Sequence, residues 1–294
     1  MYLEKINSPA DLKKLSIEEM TALAAEMREA LIVRASRHMG HVGPDLGFIE
    51  ATIALHAVFS SPEDKIIYDI SHQTYPHKML TGRREAYTDP AHYDDVSAYS
   101  NPKESPHDFF NVGHTSTSIS LATGLAKARD LAGRRENVIA FIGDGSMSGG
   151  EALEGLNVAG EMQTNFIIVL NDNDQSIAEN HGGMYEMLRR LRETNGTAAD
   201  NLFRAMGLDY RYVADGNDTE ALIAAFAAVK DSQKPVVIHI HTQKGKGLSF
   251  AEDDPEDWHR HAPFHTESGA VKHPFSPDPC IAATIDFVLA EAKR

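Results

Sequence analysis

Cysteine is almost missing from this chain: Cys280 is the only one in 294 residues. A single thiol excludes a disulfide scaffold and any zinc site built from cysteines. Basic residues are in deficit too, with 28 Lys and Arg against 43 Asp and Glu and a formal net charge of −15. Such a surface repels phosphate backbones, which excludes a general nucleic-acid binder but leaves room for a small phosphorylated ligand in a locally opposed pocket. Long hydrophobic runs are absent as well. No stretch approaches the ~20 apolar residues of a membrane helix. The opening MYLEKINSPADLKKLSIEEM lacks the apolar core of a signal peptide, so the expectation is a cytoplasmic protein with no membrane partner. No internal repeat or low-complexity tract appears. What remains is ordinary globular composition, 42% hydrophobic and 24% charged.

Helical and extended patterns alternate along the chain. Ser16 and Glu19 form a capping box for a helix over 16–37, in which Leu23, Met27, Ala30, Leu31 and Arg34 recur at helical spacing. Gly40, Gly43 and Pro44 break it, and a second apolar helix is predicted over 45–59. Strands are predicted at Lys65 to Ile70, Asn137 to Ile142, Phe166 to Leu170 and 235–241, with helices near 115–132 and from about 149. The strands are short and apolar on both faces, so the expected fold class is α/β, a mostly parallel sheet covered by helices on both sides. Residues 83–113 show no sustained period and carry Pro90, Pro102 and Pro106, which suggests a functional loop. In folds of this kind ligands bind at the carboxyl ends of strands.

The strand NVIAFI runs directly into Gly143-Asp144-Gly145, and a helix starts shortly after. Glycines there let backbone approach a ligand, and a helix start favours phosphate. Alone, GDG is a common αβ turn. The next apolar strand, NFIIVL, also ends in oxygen donors, Asn171, Asp172 and Asn173, with Asn173 placed 29 residues after Asp144. Neighbouring parallel strands would bring Asp144 and Asn173 to one hard cation, and Mg2+ takes such oxygen sets while bridging a ligand's phosphates.

This pair resembles the signature of thiamine diphosphate enzymes, in which the third protein ligand is a backbone carbonyl, here that of Gln175. The words GHVGPDLG at 40–47, SHQTYPHKMLTGRR at 71–84, VGHTSTSIS at 112–120 and NDNDQSIAEN at 171–180 resemble 1-deoxy-D-xylulose-5-phosphate synthase, with transketolase a close relative. The resemblance runs from about residue 11 to about 265. It implies the family's N-terminal, diphosphate-binding fold over 1–294 as one domain, with 83–113 a functional loop and 245–294 a C-terminal extension. Thiamine diphosphate and Mg2+ are the implied cofactors, the metal on Asp144, Asn173 and the Gln175 carbonyl. His114, Ser116, Gly143, Asp144, Gly145 and Asn173 would hold the cofactor, and His41, His72 and His259 would be catalytic. Imidazoles suit that task because they donate to a developing alkoxide and relay protons near neutral pH.

Each histidine also has a plain alternative as a hydrogen-bonded structural residue. His261 and His265 compete with His259 for its role, and His77 reads as local support. His239 and His241 share one strand face, open to solvent or a partner. Lys244 and Lys246, beyond them, would contact phosphate or belong to a solvated loop. In relatives a glutamate at the position of Glu154 faces its twin across a subunit interface; a solvated carboxylate is the alternative. The chain departs from the synthase pattern at Ser71, where glycine is usual, and at His38, where small residues are usual.

In this family the glutamate that activates the aminopyrimidine belongs to a second domain, which this sequence does not contain. The resemblance therefore leads to a split enzyme: a second subunit carries the pyrimidine-binding domain and its glutamate, two copies of each chain assemble, and the substrates are phosphorylated sugars. The reading placed first is a transketolase-like transfer of a two-carbon ketol unit. The alternative is synthase-type condensation of pyruvate with glyceraldehyde 3-phosphate. Further rivals are a non-catalytic or truncated thiamine diphosphate-binding domain and a magnesium phosphohydrolase or nucleotide-binding domain. For the last, no Walker-type loop or GxGxxG turn is present.

Overall fold

Apolar, β-branched runs become strands because both of their faces can be buried at once. The computed structural model describes residues 1–272 together with Val288 and Ala290. Cys280 and, apart from those two residues, the end of the extension expected over 245–294 lie outside the described residues. In chain order the strands are β1 (Gly40–His41), β2 (Lys65–Tyr68), β3 (Val138–Gly143), β4 (Phe166–Asp172), β5 (Asp209–Val213), β6 (Pro235–His241) and β7 (Arg260–His261). Five of them form one sheet in the order β2-β3-β4-β6-β5. Every neighbouring pair in it is parallel.

Alternation along the central strands sends side chains to two separate cores. Val138, Ala140, Ile142, Ile168 and Leu170 pack with the helices Ser118–Leu131, Gly150–Glu161 and Gly183–Glu193. Ile139, Phe141, Ile167, Val169 and Ile238 pack with the helices Ile49–Val58 and Thr219–Ala227. This is the α/β class read from the sequence. A third cluster surrounds the helix Ile17–Ala35. There the capping box forms as expected, Ser16 N–H to Glu19 Oε2 at 2.8 Å and Glu19 N–H to Ser16 Oγ at 3.2 Å.

Two elements differ from the sequence pattern. The helix predicted over 45–59 is broken at Phe48 (φ −115°, ψ 8°) into Gly43–Gly47 and Ile49–Val58. The break lets the fully buried Phe48 ring pack on Phe141 of β3 with centroids 3.8 Å apart. The strand predicted from Lys65 to Ile70 ends at Tyr68, because Ile70 and Ser71 take left-handed backbone, φ 54° and 71°. The antiparallel ribbon of β1 with β7 pairs Gly40 with His261 and His41 with Arg260. Its two-residue strands leave no periodic trace in the sequence. Among the described residues no helix is long and apolar enough to cross a membrane.

Candidate active site

The register of the central strands assembles the first half of the site. Gly143 pairs with Asn171 across β3 and β4, so the residues that follow each strand emerge at the same sheet edge. Asp144, Asn173 and Gln175 line one cavity of about 310 Å3 there, with Gly143 and Gly145. A Cβ on Gly143 would meet no protein atom within 4 Å, so its backbone is open to whatever the cavity holds.

Asp144 is buried, and its carboxylate accepts a hydrogen bond from Asn180 Nδ2 at 2.8 Å. Burial, reinforced by the neighbouring Asp172 carboxylate, pushes the Asp144 carboxyl well above its ordinary range. Burial pushes Asp172 up as well, but hydrogen bonds and charge from His239 (2.8 Å) and Arg192 (2.5 Å) outweigh it and hold that carboxyl at about 2. Asn173 Oδ1 accepts from Gln175 N–H at 3.2 Å. A buried carboxylate crowded by a second, beside amide and backbone oxygens, is the environment that a hard divalent cation relieves, so the residues present fit Mg2+.

Three imidazoles form the second half. The β1–β7 ribbon brings His41 next to His259, with Val42 N–H bonded to His259 O at 3.2 Å. His72 arrives from the turn after β2. His41 and His72 stack with centroids 4.2 Å apart and planes 12° apart, and His259 stands edge-on to both, at 5.6 and 5.2 Å. Each has a buried Nδ1 with no hydrogen-bond partner among the described residues. Burial lowers all three: His41 to about 4, with His259 and Arg260 adding to it, His259 to about 4, with Lys244 adding to it, and His72 well below its usual value. No carboxylate hydrogen-bonds any of them among the described residues, so near neutral pH they are uncharged and able to donate, accept or pass a proton.

The remaining residues named from the sequence have distinct placements. Ser116 is buried behind the cavity: its Oγ donates to Ser146 O at 2.8 Å, and its N–H bonds Asp69 Oδ1 at 2.9 Å. A Cβ on Gly149 would collide with that hydroxyl, so the glycine there is a packing requirement. His114 is exposed and its Nδ1 bonds Thr115 O at 2.8 Å; Thr115, between the two, is the one that lines the cavity. His261 stacks on Trp258 at 4.0 Å and His265 is exposed, which leaves His259 as the cavity residue of that segment. His239 is fully buried between Tyr210 and Asp172 and does not reach solvent, whereas His241 faces an open groove. Glu154 is exposed on the helix Gly150–Glu161. His38 bonds Asp94 at 2.9 Å, away from the cavity lining.

Two lining residues, Asp69 and Tyr99, have no motif of their own to announce them, and for a third, Lys244, the sequence leaves phosphate contact and a solvated loop both open. Asp69 closes β2 and caps the helix Ser118–Leu131, accepting from Ser116 and Ser118 N–H at 2.9 and 3.0 Å. Its place just after a strand is the only signal the sequence offers. Lys244 is buried, lowered by burial to about 8, and donates to Ser176 O at 2.8 Å and Ile177 O at 3.3 Å. It therefore belongs to the cavity and not to a solvated loop. Tyr99 comes from the aperiodic loop, where nothing singles it out.

Solved structures share this architecture at low sequence identity. A transketolase variant from Pichia stipitis superposes with a TM-score of 0.63 at 20% identity, over 95% of this chain and 45% of its own. Transketolase from Leishmania mexicana gives 0.63 at 19%, over 95% and 46%. These establish a transketolase-like fold. The family model for 1-deoxy-D-xylulose-5-phosphate synthase matches residues 3–200 and 194–242, and the chain belongs to that thiamine diphosphate-dependent family. The synthase called 2 of Geobacter sulfurreducens is 42% identical over 92% of this chain and 49% of its own length. That of Caldanaerobacter subterraneus is 41% identical over 91% and 49%. The chain thus spans about half the length of the curated relatives it matches.

Proposed function

We propose that this chain holds the magnesium and diphosphate of thiamine diphosphate, and that it forms the N-terminal half of an enzyme condensing pyruvate with glyceraldehyde 3-phosphate. The observation that carries the reading is one cavity in which Asp144, Asn173 and Gln175, at or beyond the strand ends, share space with three uncharged imidazoles. Bound there, the cofactor supplies the nucleophilic carbon and electron sink for making and breaking bonds beside a carbonyl. Asp144 and Asn173 would hold the metal, open backbone at Gly143 would meet diphosphate, and Lys244 would add positive charge. His41, His72 and His259 would hydrogen-bond the substrate carbonyl oxygen and exchange protons with it, while burial keeps bulk water from competing.

The curated relatives, at 41–42% identity, carry the synthase name, and this reverses the order of the two activities read from the sequence. The transketolase neighbours, at 19–20%, support the fold alone. No glutamate lines the cavity among the described residues. In the reading adopted here a second subunit brings that carboxylate and the pyrimidine pocket, in a two-plus-two assembly.

The test is a titration of thiamine diphosphate and Mg2+ into the purified chain, followed by the fluorescence of Trp258, its one tryptophan, which adjoins His259. Saturable, Mg2+-dependent binding that nucleotides do not displace supports the cofactor assignment, and equal competition by nucleotides overturns it. Purification from native cells then asks for a stoichiometric second polypeptide, and the pair is assayed with pyruvate plus glyceraldehyde 3-phosphate against ketose phosphates. Turnover of ketose phosphates alone would restore the transketolase reading, and full turnover by the single chain would remove the second subunit.

A further inference from the structure

Tyr99 lines the cavity with its ring edge-on to His41, centroids 6.2 Å apart at 72°, although it comes from a stretch without regular structure. What holds it there is a set of polar anchors. Lys78 is fully buried and spends its ammonium on the loop, donating to Ser97 O and Tyr99 O at 2.8 Å each and to Glu104 Oε2 at 2.6 Å. Ser97 Oγ donates to the same Tyr99 carbonyl at 2.6 Å. One residue further on, Ser100 N–H donates to Ser71 Oγ at 2.9 Å, and Ser71 Oγ donates in turn to Val112 O at 2.7 Å.

Ser71 is the costly member of this set. It is completely buried and has φ 71°, directly after Ile70 at φ 54°. Left-handed backbone is uncommon for serine and rarer for a β-branched residue, and it persists only where the surroundings impose it. A glycine would take this conformation freely. The hydroxyl, which donates one hydrogen bond and accepts another on the loop, is what serine adds. It also immediately precedes His72, so a single residue links the position of an imidazole to that of the wall facing it.

We propose that Ser71 is a positioning residue of the cavity: its hydroxyl clamps the segments at Ser100 and Val112, and so fixes Tyr99 as a rigid wall against His41. What the cavity binds rests on the function proposed above; the clamp does not.

The test uses the full chain with isotope-labelled histidine, read by amide hydrogen exchange and by the ring resonances of His41. Ser71→Ala should accelerate exchange at the Ser100 amide by about tenfold or more, since that amide loses its buried acceptor. It should also move the His41 ring resonance in the same direction as Tyr99→Leu does, because both changes remove the Tyr99 ring from its edge-on place. The double variant should move it no further than Tyr99→Leu alone. His239, fully buried between Tyr210 and Asp172, should stay unmoved in all of them. Ser71→Gly, which relieves the left-handed strain while also lacking the hydroxyl, covers the case in which the alanine variant fails to fold. Unchanged Ser100 exchange, or a His41 resonance that responds to Tyr99→Leu but not to loss of the Ser71 hydroxyl, would overturn the proposal. Adding thiamine diphosphate and Mg2+ to the wild-type sample separates the two readings: an unmoved His41 signal counts against the cofactor and leaves the clamp result standing.

Discussion

His41 and His72 stack with centroids 4.2 Å apart, and His56 and His77 stack at 5.0 Å. Their surroundings are opposite. In the second pair His56 Nε2–H donates to His77 Nδ1 at 2.9 Å, and His77 Nε2–H donates to Asp108 at 3.0 Å. Asp108 also takes a two-pronged contact from Arg83, at 2.8 and 2.9 Å. Burial pushes the Asp108 carboxyl up, yet His77 and Arg83 outweigh it and hold it far below the usual range. Among the described residues the first pair hydrogen-bonds no carboxylate, and it faces a cavity. Stacking alone therefore says little about a histidine's task. The partner of the outer nitrogen decides it: an anion makes the imidazole part of the framework, and an open cavity leaves it available for chemistry.

Breaking the framework pair should produce the largest effect. Asp108→Asn leaves the buried His77 without its anion and Arg83 with only its longer contact to Glu104, at 3.3 Å, and a cost of about 3 kcal/mol or more is expected in urea unfolding. His72→Gln should stay within about 1 kcal/mol of wild type, because no carboxylate loses its partner. Equal losses in the two variants would erase the distinction between the clusters. Next in size is the metal side of the cavity. Asp144→Asn should weaken Mg2+-dependent thiamine diphosphate binding on the order of 100-fold, at or beyond the upper end of what removing an outer-shell partner costs. Chelation of Mg2+ from the wild-type chain should have the same effect in the same titration, and intact affinity in either case would reject the assigned ligands.

Acid sharpens the comparison further. His41 and His259 are lowered to about 4 in the folded chain, whereas an unfolded histidine titrates near 6.5. Between those values the unfolded state binds the extra protons, so stability is fully present above about pH 6.5 and falls as pH drops toward 4. Asp108, being depressed, contributes stability that is present above the ordinary carboxylate range and is lost only at lower pH. His41→Gln should therefore reduce proton uptake on unfolding in the window between about 4 and 6.5 by about one proton, measured from unfolding at a series of pH values. An unchanged slope would mean that His41 is not held neutral by burial.

The two halves of the site were not equally readable in the sequence. Asp144 and Asn173 end consecutive apolar strands, and parallel pairing of neighbours carries such ends to one edge, so local pattern plus a rule of connection suffices. The His41–His72–His259 cluster has no such rule: its members come from a two-residue ribbon, a strained turn and a helical turn near residue 259. Only the family words pointed to them. Tyr99 and Asp69 escaped even that, because tertiary hydrogen bonds, not periodicity, put them there. The break at Phe48 has the same origin, a ring packing on Phe141 against the preference of an otherwise helical stretch. His77 shows the converse: it stands in a matching word, SHQTYPHK, and its neighbours make it structural.

His114 gives the smallest expected effect and tests how far a family word can be read without its surroundings. It stands in VGHTSTSIS beside Ser116, yet its ring is exposed and bonds the carbonyl of the next residue, while Thr115 lines the cavity. An exposed side chain with one local contact costs little to remove, so His114→Ala should change stability by no more than about 0.5 kcal/mol. Its effect on thiamine diphosphate affinity should be less than about threefold, under 1 kcal/mol. Thr115→Val, by contrast, alters the lining itself and should weaken binding more than His114→Ala in the same titration. If His114→Ala instead matches Asp144→Asn, the ring must turn inward when the cofactor arrives, and the histidines that matter could not be told from the placement of their rings in the chain alone.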